Sequence, residues 1–503
     1  MDWLKELPVL VLGLGDSGLA MARWCARHGA HVTVWDSRET PPGAAALAVE
    51  WPAVQRLHGA LLPALLGGVQ LVLKSPGLAP QDARVAPLLQ AAAETGIAVL
   101  GELGLFARAL ADLKHLQGYT PQVLAITGTN GKTTTTAMTA LLVERAGHTV
   151  AMAGNVGPTM LDTLTARLDD LPQVWVLELS SFQLDGVRGF EPHAAAVLNI
   201  TQDHLDWHGT MAAYTAAKAR VFGSEGVMVL NRDDAAVAAL QPQPTPGKGK
   251  AKPISVTRGI VHFSLDAPRR AGDFGLVTEN GMAWLVRALP ADESIKRKRG
   301  EEAEIHLQRL MPADALRVRG RHNAANALAA LALATAIGCA LAPMLHGLRD
   351  YAGEPHRVQF IARIGEVEAF DDSKGTNVGA TVAALNGLGD DKAPGRLVVI
   401  LGGDGKGQDF TPLREPLVQH ARAVATIGRD AAAIEAVLGP VPFQRHATLQ
   451  AAVAWCFEQA AAGDAVLLSP ACASLDMFRN YAHRAEVFVA AVQALAAERG
   501  AMA

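Results

Sequence analysis

The chain has 503 residues, enough for about three domains of ordinary size. With 45 basic and 49 acidic residues, its formal net charge of −4 excludes the polybasic classes that bind nucleic acid through charge. Half of the residues are hydrophobic and 19% are charged, so a folded chain is expected rather than a disordered one.

Three further features predict a cytoplasmic protein without membrane insertion. Its cysteines lie far apart, which excludes both a disulfide framework and a zinc ribbon: Cys25, Cys339, Cys456 and Cys472. Asp2 and Glu6 stand where a signal peptide would carry positive charge. The apolar stretch Ala327–Leu345 is predicted to be one buried helix, because it is rich in alanine and Pro343 would break a membrane span.

Short apolar runs alternate with helical stretches along the whole chain, a rhythm that predicts α/β units with parallel sheets. The first series has strands at Val9–Leu12, Val32–Trp35 and Leu71–Leu73, with a helix over Leu19–His28. The second series has strands at Val123–Ile126, Val174–Leu179, Ala194–Ile200 and Val227–Leu230. The third has strands at Leu397–Leu401, Ala423–Ile427 and Ala465–Leu468.

The pattern fails at two places, which predicts domains at residues 1–118, 119–352 and 353–503. The middle domain carries an insertion near 241–304. Within it, Gln241–Pro253 is rich in Pro, Gly and Lys, and Ser294–Glu304 mixes basic and acidic residues. Both stretches are predicted to be solvated loops, and no function is assigned to them.

Glycines follow the first predicted strand. Gly13, Gly15 and Gly18 form a Gly-x-Gly-x-x-Gly motif, and Asp36 ends the next strand 18 residues after Gly18. This pattern is typical of dinucleotide binding, but the tight turn would admit any diphosphate, including that of a nucleotide sugar. The loop Ser75–Gly77 would lie at the same sheet edge. A nicotinamide-dependent dehydrogenase and helix packing without a ligand remain alternatives.

A second glycine-rich loop, Ile126–Thr134, lies between a strand and a helical stretch. Its backbone N–H groups and the helix N-terminus favour an anion, Lys132 can reach phosphates, and Thr133 can offer a hydroxyl to Mg²⁺. The loop is a short Gly-x-x-Gly-Lys-Thr variant, since Ile126 stands where a general phosphate loop has glycine. A surface turn is the alternative interpretation.

Polar residues also follow the next two predicted strands. Glu178 ends an apolar run, where burial of a carboxylate requires a cation or a hydrogen-bond donor. Asp203–His208 contains two histidines and two acids, a spacing that fits a zinc site or a helix cap. In a parallel sheet these strand ends share one edge with the phosphate loop. Tyr214 and Lys218 lie one helical turn apart, and the residues alone predict a solvated lysine.

Several of these motifs resemble the Mur ligase family over nearly the whole chain. The shared motifs are Gly128–Thr133, Asp203–Asp206, Gly320–Ala327 and Pro355–Arg357. The resemblance implies three α/β domains: a Rossmann-like N-terminal domain, a P-loop ATPase-like central domain and a Rossmann-like C-terminal domain. Three C-terminal motifs are similar to those of the members that add D-glutamate: Asp371–Asn377, Gly402–Lys406 and Ser469–Asp476.

The resemblance implies ATP-dependent ligation of D-glutamate to UDP-N-acetylmuramoyl-L-alanine in peptidoglycan synthesis, by a monomer that forms ADP. It implies two Mg²⁺ ions: one held by Thr133 and Glu178, the other by His204 and by Lys218 as its carbamate. Lys132, Glu178, His204 and Lys218 would be the catalytic residues. ATP would contact Gly128, Thr129, Asn130, Gly131, Lys132, Thr133, Thr134, Asn323, Asn326, Arg357 and Asp372.

The two other substrates have implied sites as well. D-glutamate would be held by Lys374, Thr376, Lys406, Ser474 and Tyr481. The nucleotide sugar would be held by Gly15, Ser17, Asp36, Ser37, Arg38, Ser75, Gly77 and Asn155. Thr133 stands where these members often have Ser, and Tyr481 stands where Phe is expected. Another amino-acid specificity within the family and a nucleotide-binding module without chemistry remain alternatives.

Overall fold

The computed structural model describes residues 1–243, 258–292, 304–318 and 320–499, in which three sheets follow one another along the chain. The two stretches expected to be solvated loops lie almost wholly outside these ranges, at 244–253 and 294–303. Within the described ranges, no helix is long and apolar enough to cross a bilayer.

The N-terminal sheet has five parallel strands in the order β3-β2-β1-β4-β5. Its strands are β1 (Pro8–Leu12), β2 (His31–Asp36), β3 (Gln55–His58), β4 (Leu71–Lys74) and β5 (Ala98–Leu100). Its helices are α1 (Asp16–Arg27), α2 (Ala44–Glu50), α3 (Ala86–Glu94) and α4 (Glu102–Gln117). The three predicted strands and the first helix are confirmed, while the short edge strands β3 and β5 lack the long apolar run that marks a buried strand.

The middle sheet has nine strands in the order β14-β13-β12-β11-β10-β9-β6-β8-β7. They are β6 (Gln122–Thr127), β7 (Val150–Gly154), β8 (Val174–Glu178), β9 (Ala194–Val197), β10 (Val227–Asn231), β11 (Ile260–Phe263), β12 (Phe274–Glu279), β13 (Met282–Pro290) and β14 (Ile305–Pro312). The helices are α5 (Lys132–Arg145), α6 (Met160–Ala166), α7 (Ser181–Leu184), α8 (Leu205–His208), α9 (Met211–Ala219), α10 (Ala235–Ala238), α11 (Arg321–Ala336) and α12 (Leu341–Asp350). All four predicted strands are present, although the third ends at Val197 rather than at Ile200.

The expected insertion near 241–304 contains three strands between its two predicted loop stretches. Strands β11, β12 and β13 lie inside that range and extend the main sheet, with β12 and β13 forming an antiparallel pair. Strand β12 is buried at Phe274 and exposed at Glu279, so it mixes core and solvent positions. Such strands lack the continuous apolar run that identified the buried parallel strands.

The prediction of a single helix over Ala327–Leu345 is wrong. The chain forms α11 and α12, which are separated at Gly338, where φ is +88°. Pro343 lies in the first turn of α12, a position at which proline is tolerated because no intrahelical donor is needed there. The buried alanines of α11 allow it to pack closely against α5, the helix that follows the phosphate loop.

The C-terminal sheet has six strands in the order β15-β16-β20-β17-β18-β19. They are β15 (Gln359–Ile364), β16 (Val367–Asp371), β17 (Leu397–Gly402), β18 (Ala421–Ile427), β19 (Phe443–Arg445) and β20 (Ala465–Leu468). The helices are α13 (Val378–Lys392), α14 (Arg414–His420), α15 (Ala431–Glu435), α16 (Leu449–Gln459) and α17 (Tyr481–Glu498). The three predicted strands are confirmed, and only the β15–β16 pair is antiparallel.

The hydrophobic cores show which units are joined most closely. One buried cluster runs from the N-terminal unit into the middle unit, and within it the rings of Phe106 and Trp175 lie 5.0 Å apart. The Trp175 indole N–H donates to the hydroxyl of Tyr119 at 2.9 Å. The C-terminal unit has its own two clusters. The first two units therefore share apolar surface, and the third has a separate core.

Candidate active site

The phosphate loop connects β6 to α5 and depends on a glycine at the start of the helix. Gly131 has a φ of +81°, and a Cβ at this position would lie 2.6 Å from Oδ1 of Asn326. Any larger residue would combine backbone strain with a steric clash. The loop and α11 therefore approach closely at the N-terminus of α5, where free backbone amides favour an anion.

The loop after β9 is fastened to the phosphate loop by reciprocal amide hydrogen bonds. The Asn130 backbone N–H donates to Asn199 Oδ1 at 2.8 Å, and Asn199 Nδ2 donates back to the Asn130 carbonyl at 3.0 Å. The Thr129 hydroxyl donates to the Thr201 carbonyl at 3.1 Å and contacts the Tyr214 hydroxyl at 3.0 Å. The side chain of Thr129 thus holds the two loops together, and Asn199 is a structural residue that the motif search missed.

Two lysines converge on the same carbonyl of the phosphate loop. Lys132 Nζ donates to the carbonyls of Gly128 at 3.0 Å and Thr129 at 2.8 Å, and Lys218 Nζ donates to that of Gly128 at 2.7 Å. Lys218 is 1% exposed, so the prediction of a solvated lysine from the residues alone is wrong. Burial, followed by the charge of Lys132, holds the pKa of Lys218 well below its ordinary value, and burial lowers the pKa of Lys132 as well.

Glu178 presents an unused oxygen at the adjacent strand end, where it pairs with Ile126 in the register of β8 and β6. The side chain is 2% exposed, and its Oε1 accepts a hydrogen bond from Asn155 Nδ2 at 2.8 Å. Its Oε2 is buried and accepts no hydrogen bond within the described chain. A buried carboxylate oxygen without a donor is suited to a bound cation.

His204 lies at the start of α8 in the left-handed region, with φ +54°. Its Nε2 is 3.4 Å from Asp203 Oδ2, and its ring contacts Phe182 at 4.6 Å. Burial is the main cause that lowers the pKa of His204 to about 4, so the imidazole is neutral at pH 7 and can act as a ligand. His208 is hydrogen-bonded to Ser181 Oγ at 2.9 Å instead. Across the described ranges no three His, Cys, Asp or Glu residues converge, which gives the zinc alternative no cluster.

The C-terminal unit reaches the phosphate loop directly. Arg357 Nη2 donates to the Thr133 hydroxyl at 2.8 Å, and Lys374 Nζ lies 3.4 Å from the same oxygen. Asn377 Nδ2 donates to Asn130 Oδ1 at 2.9 Å. Burial lowers the pKa of Lys374 to about 8. Residues more than 220 positions apart in the sequence therefore meet at one anion-binding loop.

A cleft of about 890 Å³ opens between the middle and C-terminal units, with Asn323 and Arg357 among its lining residues. A smaller cavity continues from it toward Gly131, and both Asn326 and Asp372 line that cavity. Asp372 accepts a hydrogen bond from Ser469 Oγ at 2.6 Å, and its burial raises its pKa to about 7. Seven of the eleven residues expected to contact ATP line these two cavities: Asn130, Gly131, Thr134, Asn323, Asn326, Arg357 and Asp372.

The residues expected to bind D-glutamate lie on four C-terminal segments: the loops after β16, β17 and β20, and the start of α17. Lys374 Nζ is 5.4 Å from the centre of the Tyr481 ring, and the Thr376 N–H donates to the Lys374 carbonyl at 2.9 Å. Ser474 is buried in the loop after β20. Lys406 is exposed, with φ +51°, and its charge contributes to the lowered pKa of His204.

The glycine motif of the N-terminal unit forms the tight turn that its spacing predicts. A Cβ on Gly18 would lie 1.9 Å from the carbonyl oxygen of Gly13, whereas Gly15 and Gly77 face open space. Ser75 Oγ donates to the Gly13 carbonyl at 3.1 Å, which joins the β4 loop to this turn. The turn and the β4 loop therefore share one sheet edge, as expected for a diphosphate site.

The carboxylate of Asp36, which is expected to contact the nucleotide sugar, is already hydrogen-bonded within the chain. Its carboxylate accepts hydrogen bonds from the Leu14 N–H at 2.8 Å and from the Arg38 guanidinium at 2.8 and 2.9 Å. Burial works to raise its pKa, but the Arg38 bonds outweigh burial and hold the pKa at about 2. Ser37 and Arg38 are exposed beside it, while Asn155 lies in the middle unit against Glu178.

Three family models together match most of the chain. A "Mur ligase MurD-like, N-terminal domain" covers residues 8–101, a "Mur ligase middle domain" covers 126–257, and a "Mur ligase, glutamate ligase domain" covers 356–472. Among solved structures, the chain resembles the MurF ligase from Thermotoga maritima in complex with ADP, with a TM-score of 0.56 at 15% identity over 97% of this chain and 96% of that one. At that identity the likeness concerns the fold alone.

Relatives of known name match from end to end. A UDP-N-acetylmuramoylalanine--D-glutamate ligase from Albidiferax ferrireducens is 62% identical over 507 residues, covering 100% of this chain and 99% of the relative. The enzyme of the same name from Burkholderia mallei is 58% identical over 506 residues, covering 98% of each. With three matching domain models and full-length relatives of this similarity, the chain belongs to the Mur ligase family.

Proposed function

We propose that this protein is an ATP-dependent, ADP-forming ligase that joins D-glutamate to UDP-N-acetylmuramoyl-L-alanine in peptidoglycan-precursor synthesis. The observation that carries the proposal is the meeting of Arg357 and Lys374 at Thr133, because it sets the amino-acid loops of the C-terminal unit against the phosphate loop. The names of the full-length relatives support the choice of D-glutamate. We place the reaction in the cytoplasm, where ATP is available and free thiols stay reduced.

The proposed reaction first activates a carboxylate. An oxygen of the L-alanyl carboxylate attacks the γ-phosphorus of ATP, the bond from that phosphorus to the bridging oxygen breaks, and ADP leaves with the electron pair. Lys132 and the amides of the phosphate loop stabilise negative charge on the transferring group. The loop fixes the γ-phosphate in line with the carboxylate, and such alignment supplies on the order of 7–11 kcal/mol of the barrier reduction.

Amide formation then uses the C-terminal loops. The amine of D-glutamate attacks the acyl carbon, the carbon–oxygen bond to phosphate breaks, and the amine proton passes to solvent or phosphate. Lys374, Thr376, Lys406, Ser474 and Tyr481 are proposed to hold the carboxylates of D-glutamate while its amine is presented to that carbon. The contacts of Arg357 and Lys374 with Thr133 close this region over the phosphate loop, which limits hydrolysis by water.

The residues at the strand ends fit Mg²⁺, which takes oxygen ligands and is commonly held by one or two carboxylates together with substrate phosphates. The buried Oε2 of Glu178 has no hydrogen-bond donor, and the Thr133 hydroxyl stands at the start of α5. We propose that Thr133 and Glu178 hold one ion, and that His204 and Lys218 hold a second. When bound, the ions would neutralise charge on the phosphate oxygens.

Lys218 can serve as an oxygen ligand only after modification, since an ammonium group would repel a cation. We propose that its neutral amine adds carbon dioxide: a nitrogen–carbon bond forms, one C=O bond opens to a carboxylate, and a proton is released. Its full burial and the adjacent Lys132 favour the neutral amine that this addition requires.

The nucleotide sugar is proposed to occupy the N-terminal unit, with its diphosphate at the glycine turn and its muramoyl side toward Asn155. Gly15, Ser17, Asp36, Ser37, Arg38, Ser75 and Gly77 are its proposed contacts. ATP is proposed to extend from the phosphate loop, Gly128 to Thr134, into the cleft lined by Asn323, Asn326, Arg357 and Asp372.

One substrate panel tests the proposal. With UDP-N-acetylmuramoyl-L-alanine and ATP present, phosphate release is measured with D-glutamate, L-glutamate, L-alanine or diaminopimelate as the acceptor. We expect release to require both the nucleotide sugar and D-glutamate. Preference for another amino acid would refute the D-glutamate assignment while leaving a ligase, and release without any amino acid would refute ligation itself.

A further inference from the structure

Arg484 is a buried arginine in the first turn of α17, behind the segments that carry the proposed D-glutamate contacts. Its side chain is fully buried, yet it forms no ion pair with a carboxylate in the described part of the chain. Burying a guanidinium in this way costs free energy unless its donors are satisfied. The charges of Asp476, Asp371 and Asp372 offset part of this cost from a distance, and the remaining compensation comes from hydrogen bonds.

The donors of Arg484 are satisfied by two different loops. Nε donates to Ser373 Oγ at 3.0 Å and Nη2 donates to the Ser373 carbonyl at 2.7 Å, while Nη1 donates to the Cys472 carbonyl at 3.1 Å. Ser373 Oγ in turn donates to the carbonyl of Tyr481 at 2.8 Å. One guanidinium thus fixes the loop after β16, the loop after β20 and the start of α17.

These three segments carry four of the five proposed amino-acid contacts, all except Lys406. Ser373 directly precedes Lys374, Cys472 lies two residues before Ser474, and Tyr481 begins the helix on which Arg484 stands. A shift of any one segment would change the spacing of the groups that face the acceptor. The planar fork of arginine can hold both loops at once, whereas a lysine presents a single nitrogen.

We propose that Arg484 is a positioning residue for the amino-acid substrate: by joining Ser373 to Cys472 it sets the distance between the side chains that receive the acceptor's carboxylates. The residue itself does not touch the substrate. This inference rests on the proposed function, since it concerns the geometry of that same acceptor site.

Steady-state kinetics on the full-length enzyme tests the inference. In Arg484→Lys, which keeps the charge but loses the fork, we expect the KM for D-glutamate to rise roughly 10- to 100-fold, as for a reactant misplaced by about 1 Å. The KM for UDP-N-acetylmuramoyl-L-alanine should stay within about two-fold, because its proposed contacts lie outside these loops. Any rise in the KM for ATP, which is proposed to contact Asp372 beside Ser373, should be smaller than the rise for D-glutamate. Ser373→Ala, a smaller change, should also raise the KM for D-glutamate.

Arg422→Lys is the matched control. Arg422 lies in the same unit and is paired with Asp464, but it stands at the opposite end of the sheet. We expect it to lower the thermal midpoint without raising the KM for D-glutamate. If Arg484→Lys does not fold, Ser373→Ala decides the question. An unchanged D-glutamate KM in a folded variant, or an equal rise for all three substrates, would overturn the inference. An unmodified enzyme that does not respond to D-glutamate would instead refute the proposed function.

Discussion

Lys132 and Lys218 illustrate how burial changes the chemistry of one residue type. Both contact the carbonyl of Gly128, at 3.0 and 2.7 Å, so their charges are close together. Two ammonium groups at this distance are costly in a poorly solvated site. A triphosphate bound at the loop would favour the protonated form of Lys132. Lys218 is the lysine that loses its proton more readily.

At the residue scale, we expect Lys218→Ala to lower turnover by on the order of 10²–10³-fold, as for the loss of one electrostatic contact to the transferring group. Acetate or formate at millimolar concentration should restore part of the rate, because a free carboxylate can occupy the space of the lost carbamate. Phosphate release with and without the added acid measures the effect.

Lys132→Ala is the control for that rescue. It should lose a similar amount of activity, because the γ-phosphate loses its positive partner, but no carboxylate can replace a cation. Recovery of both variants would mean that acid acts nonspecifically. Full activity of unaided Lys218→Ala would exclude the proposed metal-ligand role.

At the scale of single elements, the start of α5 is the most constrained point of the site. Gly131 combines a positive φ with the nearby Oδ1 of Asn326, whereas Gly147, just beyond the other end of α5, has φ +94° and no atom within 4 Å of a Cβ. A substitution at Gly147 would therefore introduce backbone strain alone, whereas one at Gly131 would introduce both strain and a close contact.

We expect Gly147→Ala to destabilise the protein by about 1–2 kcal/mol from left-handed backbone strain alone. Gly131→Ala should add a clash with Asn326 and weaken ATP binding as well, since the loop must shift. Urea unfolding gives the stability change, and calorimetric titration with ATP gives the affinity. Equal ATP affinity in the two variants would contradict this account of the loop.

A second element-scale feature is the contact between the starts of α4 and α6. Glu102, the first residue of α4, is 2% exposed and its Oε1 accepts a hydrogen bond from the Leu161 N–H at 3.1 Å. Burial raises its pKa to about 7, against an ordinary value of 4.5. The folded state thus binds a proton more tightly than the unfolded chain does.

The sign of the resulting pH dependence follows from linkage. The contribution of Glu102 to stability is complete below pH 4.5 and is lost as the pH rises through about 7, a change on the order of 3 kcal/mol. Glutamine does not titrate, so we expect the Glu102→Gln protein to lose less unfolding free energy than the unmodified protein as the pH rises. Urea unfolding at pH 5 and pH 8 for both proteins gives the difference, and parallel pH profiles would contradict the raised pKa.

At the scale of the whole molecule, the C-terminal unit is joined to the phosphate loop by polar contacts, one of them between Asn377 and Asn130. If the contact persists during turnover, the two side chains should be energetically coupled. A double-mutant cycle of Asn130→Ala and Asn377→Ala on kcat/KM should give a coupling energy of about 1 kcal/mol.

The matched control pair is Arg445 and Glu435, which are hydrogen-bonded within the C-terminal unit, 2.8 Å apart. Substitution of this pair should leave kcat/KM nearly unchanged, because both residues lie away from the phosphate loop. Additive effects of the Asn130 and Asn377 substitutions would show that the units separate during the reaction.

Much of the α/β framework could be predicted from the sequence, because strands such as β6 and β8 are apolar on both faces and form continuous runs. The glycine turn and the phosphate loop are each formed by residues close together in the sequence, so the spacing of their motifs was sufficient to predict them. Strands β11 to β13 were missed because each mixes buried residues with partly or fully exposed ones. The break at Gly338 was hidden by alanines that favour a helix on both sides.

Contacts that join distant segments could not be predicted in this way. The buried Lys218 reaches Gly128 across 90 positions of the sequence, and the meeting of Asn377 with Asn130 spans 247 positions. No periodicity or motif spacing encodes such pairs. The expected positions of the D-glutamate residues came from resemblance, while Arg484 carries no motif signal and was identified only by its three donor contacts.

The shared apolar cluster of the first two units, set against the separate core of the third, has a consequence for how this enzyme could change its acceptor. The C-terminal unit could be exchanged for that of another ligase at the junction near residue 353 with little exposure of apolar surface. Only a few polar contacts with the phosphate loop would have to be matched. One recombination event could therefore replace the acceptor site and retain the phosphate loop, Glu178, His204 and Lys218, provided that the incoming unit supplies counterparts of Arg357 and Asp372.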